Sequence, residues 1–292
     1  MKEIVVISGK GGTGKTSVTA AFAHLAGEKA ILADCDVDAS NMHLVTHPEI
    51  IKKEAFFSGV IASINANECI GCGRCMDVCR FNAVKPLNNK YAIDKINCEG
   101  CGYCEKICPV EAITMEPQKS GDVYYGNTAL AGGMVYAHLG IGAENSGKLV
   151  ARVKQEAGTM AEERKKDIVL VDGSPGIGCP VVSSLSGAAY VVVVTEPSVS
   201  GFHDLDRVLE LINKFHLPSG CLINKYDLNE KISNDIIKTL NERGVAYLGA
   251  IPYDSDFTKA IKQGVPVTTL SNESITHPIA EAWEKIIEHI NN

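Results

Sequence analysis

Apolar residues follow two rhythms along this 292-residue chain. Short continuous runs, "EIVVIS", "AILAD", "DIVLVD", "AAYVVVVT", "GCLIN" and "VAYLGAI", end in glycine, proline or acidic residues, as strands buried on both faces do. Between them "KTSVTAAFAHLAG", "DLDRVLELINKF", "EKISNDIIKTLNERG" and the closing "SITHPIAEAWEKIIEHINN" place apolar residues at helical spacing. This alternation predicts an α/β fold, a doubly wound and mostly parallel sheet covered by helices. The rhythm breaks between residues 60 and 119, where "ECIGCGRCMDVCRFNAVK" and "NCEGCGYCEKICPVEAIT" align without gaps. Two related halves predict a small pseudo-twofold α+β unit with one site per half. The expected organisation is therefore a sheet domain, residues 1–59 and 120–292, interrupted by an inserted domain, residues 60–119. The glycine-rich stretch 121–150 returns the chain to the sheet.

Composition adds a compartment. No run approaches the ~18 apolar residues of a membrane span. "MKEIVVISGK" leads directly into a strand, so no cleavable signal is expected and a cytoplasmic setting is. Eleven cysteines suit such a setting as metal ligands or redox groups rather than disulfides. The net charge of −7 gives nucleic acid no encouragement as a partner.

"GKGGTGKT", Gly9 to Thr16, satisfies G-x-x-x-x-G-K-[ST]. The backbone N–H groups of Gly11, Gly12, Thr13, Gly14, Lys15, Thr16 and Ser17 are expected to cradle phosphate oxygens at a helix start. Lys15 reaches the β- and γ-phosphates and Thr16 takes Mg²⁺ in this reading. Gly9, Gly11 and Gly14 also fit the G-x-G-x-x-G dinucleotide fingerprint, with Asp34 where a ribose-binding acid belongs. That rival leaves Lys15, Thr16 and Asp172, at the end of "DIVLVD", without a role.

With Lys10 beside the first glycine, "DCDVDASN" after the second strand and "DGSPGIG" at the Walker B acid, the chain outside the insert resembles the MinD/ParA deviant-Walker P-loop ATPases. That group includes the nitrogenase iron protein and the Mrp-type iron–sulfur carriers. The resemblance implies a homodimer, or a heterodimer with a related ATPase, sandwiching ATP or ADP. Lys10 would then reach the partner's phosphates, where a cation stabilises charge developing in phosphoryl transfer. It further implies that Asp36 orients the attacking water, and that Asp34 and Asp172 hold Mg²⁺ or its waters. Asp38 reads as a loop or capping residue. "NKYD", Asn224, Lys225, Tyr226 and Asp227, matches the guanine signature N-K-x-D. In the MinD-like group an asparagine here and a later Pro252-Tyr253 segment line an adenine pocket. "IPYD" favours ATP, while Asp227 keeps GTP open.

Cys69, Cys72, Cys75 and Cys79 make C-x-x-C-x-x-C-x-x-x-C; Cys98, Cys101, Cys104 and Cys108 repeat it and end in Pro109. The run resembles the two-cluster bacterial ferredoxin, whose fourth cysteine serves the other cluster. The resemblance implies one [4Fe–4S] cluster on Cys69, Cys72, Cys75 and Cys108, and another on Cys79, Cys98, Cys101 and Cys104. Zinc is the plainer alternative for any C-x-x-C pair. Arg80 stands where proline is usual and reads as a surface residue or a tuning charge. Cys35 and Cys221 read as core residues, and Cys179 as buried at a helix start.

These features predict an ATPase whose nucleotide switch is coupled to electron transfer through two clusters, or to assembly of an iron–sulfur or metal cofactor, with a redox or assembly protein as partner. The competing expectation is a MinD/ParA-like positioning ATPase on membrane or DNA. In the final helix Ile279, Trp283, Ile286, Ile287 and Ile290 form one stripe, and Glu281, Glu284 and Glu288 occupy much of the rest. A membrane-surface helix calls for Lys and Arg there, so the stripe is expected on the sheet, without stable membrane association.

Overall fold

The computed structural model describes residues 1–140, 142 and 146–291. The chain divides into two compact units, Met1–Glu54 with Asp122–Leu139 and Ser146–Asn292, and Ala55–Gly121 with Gly140–Asn145. The second is a little wider than the 60–119 insert because two long strands run through the boundaries. Of the stretch 121–150 assigned to the return path, residues 141 and 143–145 lie outside the described residues.

In chain order the strands are β1 (Lys2–Ser8), β2 (Ala30–Asp34), β3 (Glu49–Ile64), β4 (Val84–Leu87), β5 (Lys90–Ile93), β6 (Ile113–Thr128), β7 (Ala131–Leu139), β8 (Ile168–Pro175), β9 (Tyr190–Thr195), β10 (Ser219–Asn224) and β11 (Ala246–Ile251). The helices are α1 (Lys15–Ala26), α2 (His43–Thr46), α3 (Arg74–Val78), α4 (Tyr103–Lys106), α5 (Ser146–Glu163), α6 (Cys179–Leu185), α7 (Val199–Lys214), α8 (Glu230–Arg243), α9 (Asp256–Gln263) and α10 (Glu273–Asn291).

The large sheet has the order β11-β10-β9-β1-β8-β2-β7-β6-β3. From β11 to β7 each printed pairing is parallel, with Ile4 opposite Leu170 and Tyr190, and Asp34 opposite Asp172 and Tyr136. The two-residue turn between β6 and β7 makes that pair a hairpin. Central strands carry apolar residues on both faces because helices cover both. Ile4, Val6, Leu32, Leu170 and Val192 share a core with Val18 and Phe22 of α1 and with Ile279, Trp283 and Ile286 of α10. Helices α5 and α6 pack on β2, β7 and β8. The α10 stripe is thus consumed by the core, as its acidic flank leads one to expect. No helix among the described residues is long and apolar enough to cross a membrane.

The second unit builds a small core from Ala62, Cys75, Val84 and Ile113. Its β4–β5 hairpin pairs Val84 with Ile93 and Leu87 with Lys90, and turns on Asn88 and Asn89, both in the left-handed region. Asparagine tolerates that region better than other side chains do, which is why this tight turn forms here.

Candidate functional site

Parallel strands deliver their carboxyl ends to one edge of the sheet, and there the loops after β1, β2, β8, β9, β10 and β11 assemble. The loop from Gly9 to Gly14 joins β1 to α1, with Gly12 at φ 83° and Gly14 at φ 92°. These are conformations that glycine adopts without strain, and they leave the N-terminus of α1 open to an anion. A Cβ on Gly14 would lie 2.3 Å from Asn224 Nδ2, so the loop is also packed too tightly for alanine.

Behind the loop lies a buried ion network. Asp172 accepts from Lys15 Nζ at 2.8 Å and Thr19 Oγ1 at 2.8 Å through one oxygen, and from Thr16 Oγ1 at 2.7 Å through the other. Lys15 lies 3.7 Å from Asp36 Oδ2 as well. Burial alone would lower the Lys15 pKa, but Asp172, Asp36 and Asp34 outweigh it and hold the ammonium above its ordinary value. Asp34 is wholly buried, one strand away from Asp172. Burial and the Asp172 charge push it up to about 7, although Ser40 Oγ at 2.7 Å and the Met42 N–H at 3.2 Å donate to it. The Asp36 N–H donates to its other oxygen at 3.1 Å. Burial raises Asp36 too, with Lys15 opposing. Asp38 is exposed, and its charge adds to those that raise Asp36.

A second set of contacts was not legible in the sequence. Lys10 Nζ lies 2.7 Å from Glu196 Oε1, at the end of β9, and donates to Ser198 Oγ at 3.0 Å and Ser200 Oγ at 2.9 Å. Lys225 Nζ contacts the other Glu196 oxygen at 2.9 Å and donates to the Gly12 carbonyl at 3.0 Å. Burial would raise Glu196, but its bonds to the two lysines outweigh this and hold the carboxyl below its ordinary value. Only the topology brings Glu196 beside residues 10 and 225; no local motif marks it.

The residues read for base recognition are placed unevenly. Asn224 is buried and its amide donates to the Thr13 carbonyl at 2.8 Å, bracing the phosphate loop. Asp227 accepts the Tyr253 N–H at 2.6 Å, which ties "NKYD" to "IPYD". Pro252 is half-buried and Tyr253 exposed beside it.

In the second unit the duplication extends to the backbone. Gly71 and Gly100, Gly73 and Gly102, and Asn82 and Glu111 occupy equivalent left-handed positions. The Ala83 N–H lies 3.3 Å from Cys79 Sγ and the Ala112 N–H 3.3 Å from Cys108 Sγ. All eight cysteines are free thiols. Cys69, Cys72, Cys75 and Cys108 line one recess; Cys79, Cys98, Cys101 and Cys104 line another. Among the described residues no group of three or more His, Cys, Asp or Glu side chains is gathered to hold a single metal ion. A cubane cluster takes one thiolate on each of four irons, so the test of fit is this sorting into fours, with an N–H donor to the fourth thiol of each run. The donor set passes it.

Cys35 and Cys221 are buried, as expected. Cys179 does begin α6, with Pro180 in its first turn, but it is exposed rather than buried: a residue at the first turn of a helix that starts from an extended Gly178 has no preceding turn to cover it. Arg80 is exposed.

Comparison with known proteins extends this picture. The family model described as CobQ/CobB/MinD/ParA nucleotide binding domain matches residues 4–267. An uncharacterized protein of Methanocaldococcus jannaschii is 32% identical over 290 residues, covering 99% of this chain and 97% of that protein. Among solved structures, the septum site-determining protein MinD of Pyrococcus horikoshii complexed with Mg-ADP superposes with a TM-score of 0.58 at 18% identity, covering 98% of this chain and 95% of that one. A Cyanothece McdA variant in complex with ATP gives 0.55 at 17%, covering 98% and 96%. At these identities the likeness is one of fold.

Proposed function

Because the chain belongs to the CobQ/CobB/MinD/ParA nucleotide-binding family, we propose that it binds and hydrolyses Mg-ATP and couples that cycle to two [4Fe–4S] clusters in its second unit. The observation that carries the second half is the sorting of eight free thiols into two fours, each made of three cysteines from one run and the fourth from the other. Chance packing of a duplicated loop would more simply keep each run to itself.

In this reading the phosphate loop from Gly11 to Ser17 wraps the phosphates and Lys15 swings from Asp172 toward them. Thr16 and Asp172, already 2.7 Å apart, hold Mg²⁺ or its waters, with Asp34 behind. Asp36 orients the attacking water, and Lys10 serves the phosphates of a second copy or of a related ATPase. Asn224 and Lys225 keep the loop in shape. Asp227 holds the Pro252-Tyr253 segment beside the base, and the likeness of that segment to the adenine pocket of the MinD-like group favours adenine. Cys69, Cys72, Cys75 and Cys108 hold one cluster and Cys79, Cys98, Cys101 and Cys104 the other. When bound, such clusters store and pass single electrons. The loop after Asp34, carrying Asp36 and Ser40, leads through α2 into β3, the strand that enters the second unit at Ala55, which supports a link between phosphate sensing and the clusters.

The fold likeness to MinD and McdA favours a different second half, a positioning ATPase on a surface, and none of the relatives named above is described as an iron–sulfur protein. Anaerobic purification separates the two. The cluster reading expects about eight irons and eight acid-labile sulfides per chain, with reduction midpoints that differ between ADP and ATP. Absence of iron and sulfide, together with ATP-dependent sedimentation with lipid vesicles or DNA, would establish positioning instead. Midpoints and electron delivery unaffected by nucleotide would leave the clusters but remove the coupling.

A further inference from the structure

The potential of an iron–sulfur cluster is set by its type, the hydrogen bonds to its sulfurs, its exposure to solvent and the net charge around it. Because the second unit is duplicated, each half is a control for the other. Both sites have four cysteines, drawn three from one run and one from the other. Each also has one backbone N–H at 3.3 Å from its fourth thiol. Exposure matches at three of four positions: Cys69 and Cys98 are half-buried, Cys72 and Cys101 exposed, Cys79 and Cys108 half-buried. Cys75 is buried where Cys104 is half-buried, a difference that works against added negative charge at the first site.

The charges do not match. Aligning "CIGCGRC" with "CEGCGYC" sets Ile70 against Glu99 and Arg74 against Tyr103. Ile70 and Arg74 line the recess of Cys69, Cys72, Cys75 and Cys108, and Glu99 and Tyr103 that of Cys79, Cys98, Cys101 and Cys104. Cysteines apart, Arg74 is the one charged residue lining the first recess and Glu99 the one lining the second, among the described residues. Arg80 lines neither, although Cys79 and Phe81 on either side of it both line the second. The same two positions therefore carry a net +1 in one half and −1 in the other, and the arginine that follows Cys79 is not the one aimed at a site.

We propose that Arg74 and Glu99 give the second unit a redox polarity: Arg74 holds the midpoint of its own site above that of its twin, and Glu99 holds the twin's down. The proposal rests on the reading of the eight cysteines as ligands of two clusters. A cluster that takes up an electron becomes more negative by one charge, which a nearby guanidinium favours and a nearby carboxylate opposes. Both side chains are exposed, so water weakens these effects and salt screens them further. The first electron to enter settles at the site lined by Arg74. An electron held at the site lined by Glu99 passes to it when that site is empty: the Glu99 site is oxidised and the Arg74 site reduced by one electron, with no proton moved and no bond made or broken.

Redox titration of the full chain, purified without oxygen and free of nucleotide, tests this by electron paramagnetic resonance. Iron and acid-labile sulfide are counted alongside. The wild type is expected to show two separate one-electron midpoints. Arg74→Gln should lower the upper one and Glu99→Gln raise the lower one, each by about three- to tenfold in the reduction equilibrium, roughly 30 to 59 mV. Each substitution alone therefore narrows the separation, and the two together narrow it further. Arg74→Lys and Glu99→Asp, which keep the charges, should leave it within about twofold of the wild type, as should Arg80→Gln. Raising the salt from about 0.01 M to about 1 M shortens the screening length from roughly 30 Å to 3 Å and should narrow the wild-type separation but not that of the double variant. A separation that widens in the neutral variants reverses the polarity and overturns the proposal. So does a single wild-type midpoint, or an Arg80→Gln shift as large as that of Arg74→Gln. The salt series needs no substitution and decides the matter even where a variant loads less iron: an unchanged wild-type separation overturns the proposal. A wild-type chain without iron and sulfide removes the cluster reading and the polarity together, whereas one with about eight irons whose midpoints ignore Arg74 and Glu99 removes the polarity alone.

Discussion

At the scale of single residues the site is dominated by the cost of crowding carboxylates out of water. Asp34 and Asp172 face each other on neighbouring strands with one ammonium, Lys15, to compensate both. Asp34 accordingly keeps its proton to about pH 7 in the folded chain, whereas an unfolded aspartate ionises near 3.9. Between those values the folded state holds the extra proton, so the stability this group lends is present at low pH and is lost as pH rises toward 7. The nucleotide-free protein should therefore show a urea midpoint that falls from pH 5 to pH 7.5, worth ~2 kcal/mol. Asp34→Asn should flatten that slope; an unchanged slope would assign it elsewhere. Close packing makes a second prediction. Gly14→Ala meets Asn224 Nδ2 and requires alanine at φ 92°. Fluorescent-ADP affinity should drop more than about tenfold with iron content unchanged. Lys15, Thr16, Asp172 and the eight cysteines were legible because their chemistry is written in short spacings. Glu196, Thr19 and the bracing role of Asn224 were not, because each acts on a residue far away in the sequence.

At the scale of elements, periodicity carried the buried strands and the helices with a clear apolar stripe. It failed where an element owes its form to pairing. β3 and β6 are 16 residues each and mix exposed charges with apolar residues, so neither has the continuous run of a central strand. Helix α5 has no clear signature in the sequence because its stripe of Leu149, Val150, Val153, Ala157 and Met160 is diluted by alanine, glycine and charge. Local geometry sets the cysteine loops. A Cβ on Gly100 would lie 2.1 Å from the Val60 carbonyl oxygen, at φ 62°. Gly100→Ala should therefore open the loop of Cys98, Cys101 and Cys104 and reduce bound iron to about half of the eight expected for two clusters, with ADP affinity unaltered. Full iron in this variant would mean that the loop does not shape a cluster site. In the other unit Trp283, packed on Phe22 at 5.4 Å, anchors α10. Trp283→Ala should cost ~3 kcal/mol of that unit's stability in urea unfolding.

At the scale of the whole molecule the chain has two compact units with separate cores, one built on the large sheet and one on the cysteine loops. The sheet core is large and needs no ligand to exclude water. Among the described residues the small one gathers Ala62, Cys75, Val84 and Ile113, with Ile64, Tyr91, Ile93, Met115 and four further cysteines packed against them, a modest apolar core, and much of its stability is expected from metal bound to the folded state. Coupling between a nucleotide site and a cluster site is typically 1–3 kcal/mol, less than the stability of a folded domain. Heating the anaerobic protein should therefore give two transitions. Mg-ADP at about a hundred times its dissociation constant should raise the sheet unit by ~2.7 kcal/mol and leave the other nearly in place. Removal of iron by chelator should abolish the cluster unit's transition and lower the sheet unit by no more than the coupling energy. One transition, moved equally by nucleotide and by iron, would mean that the two units stand or fall together and that the nucleotide switch works on a single cooperative body.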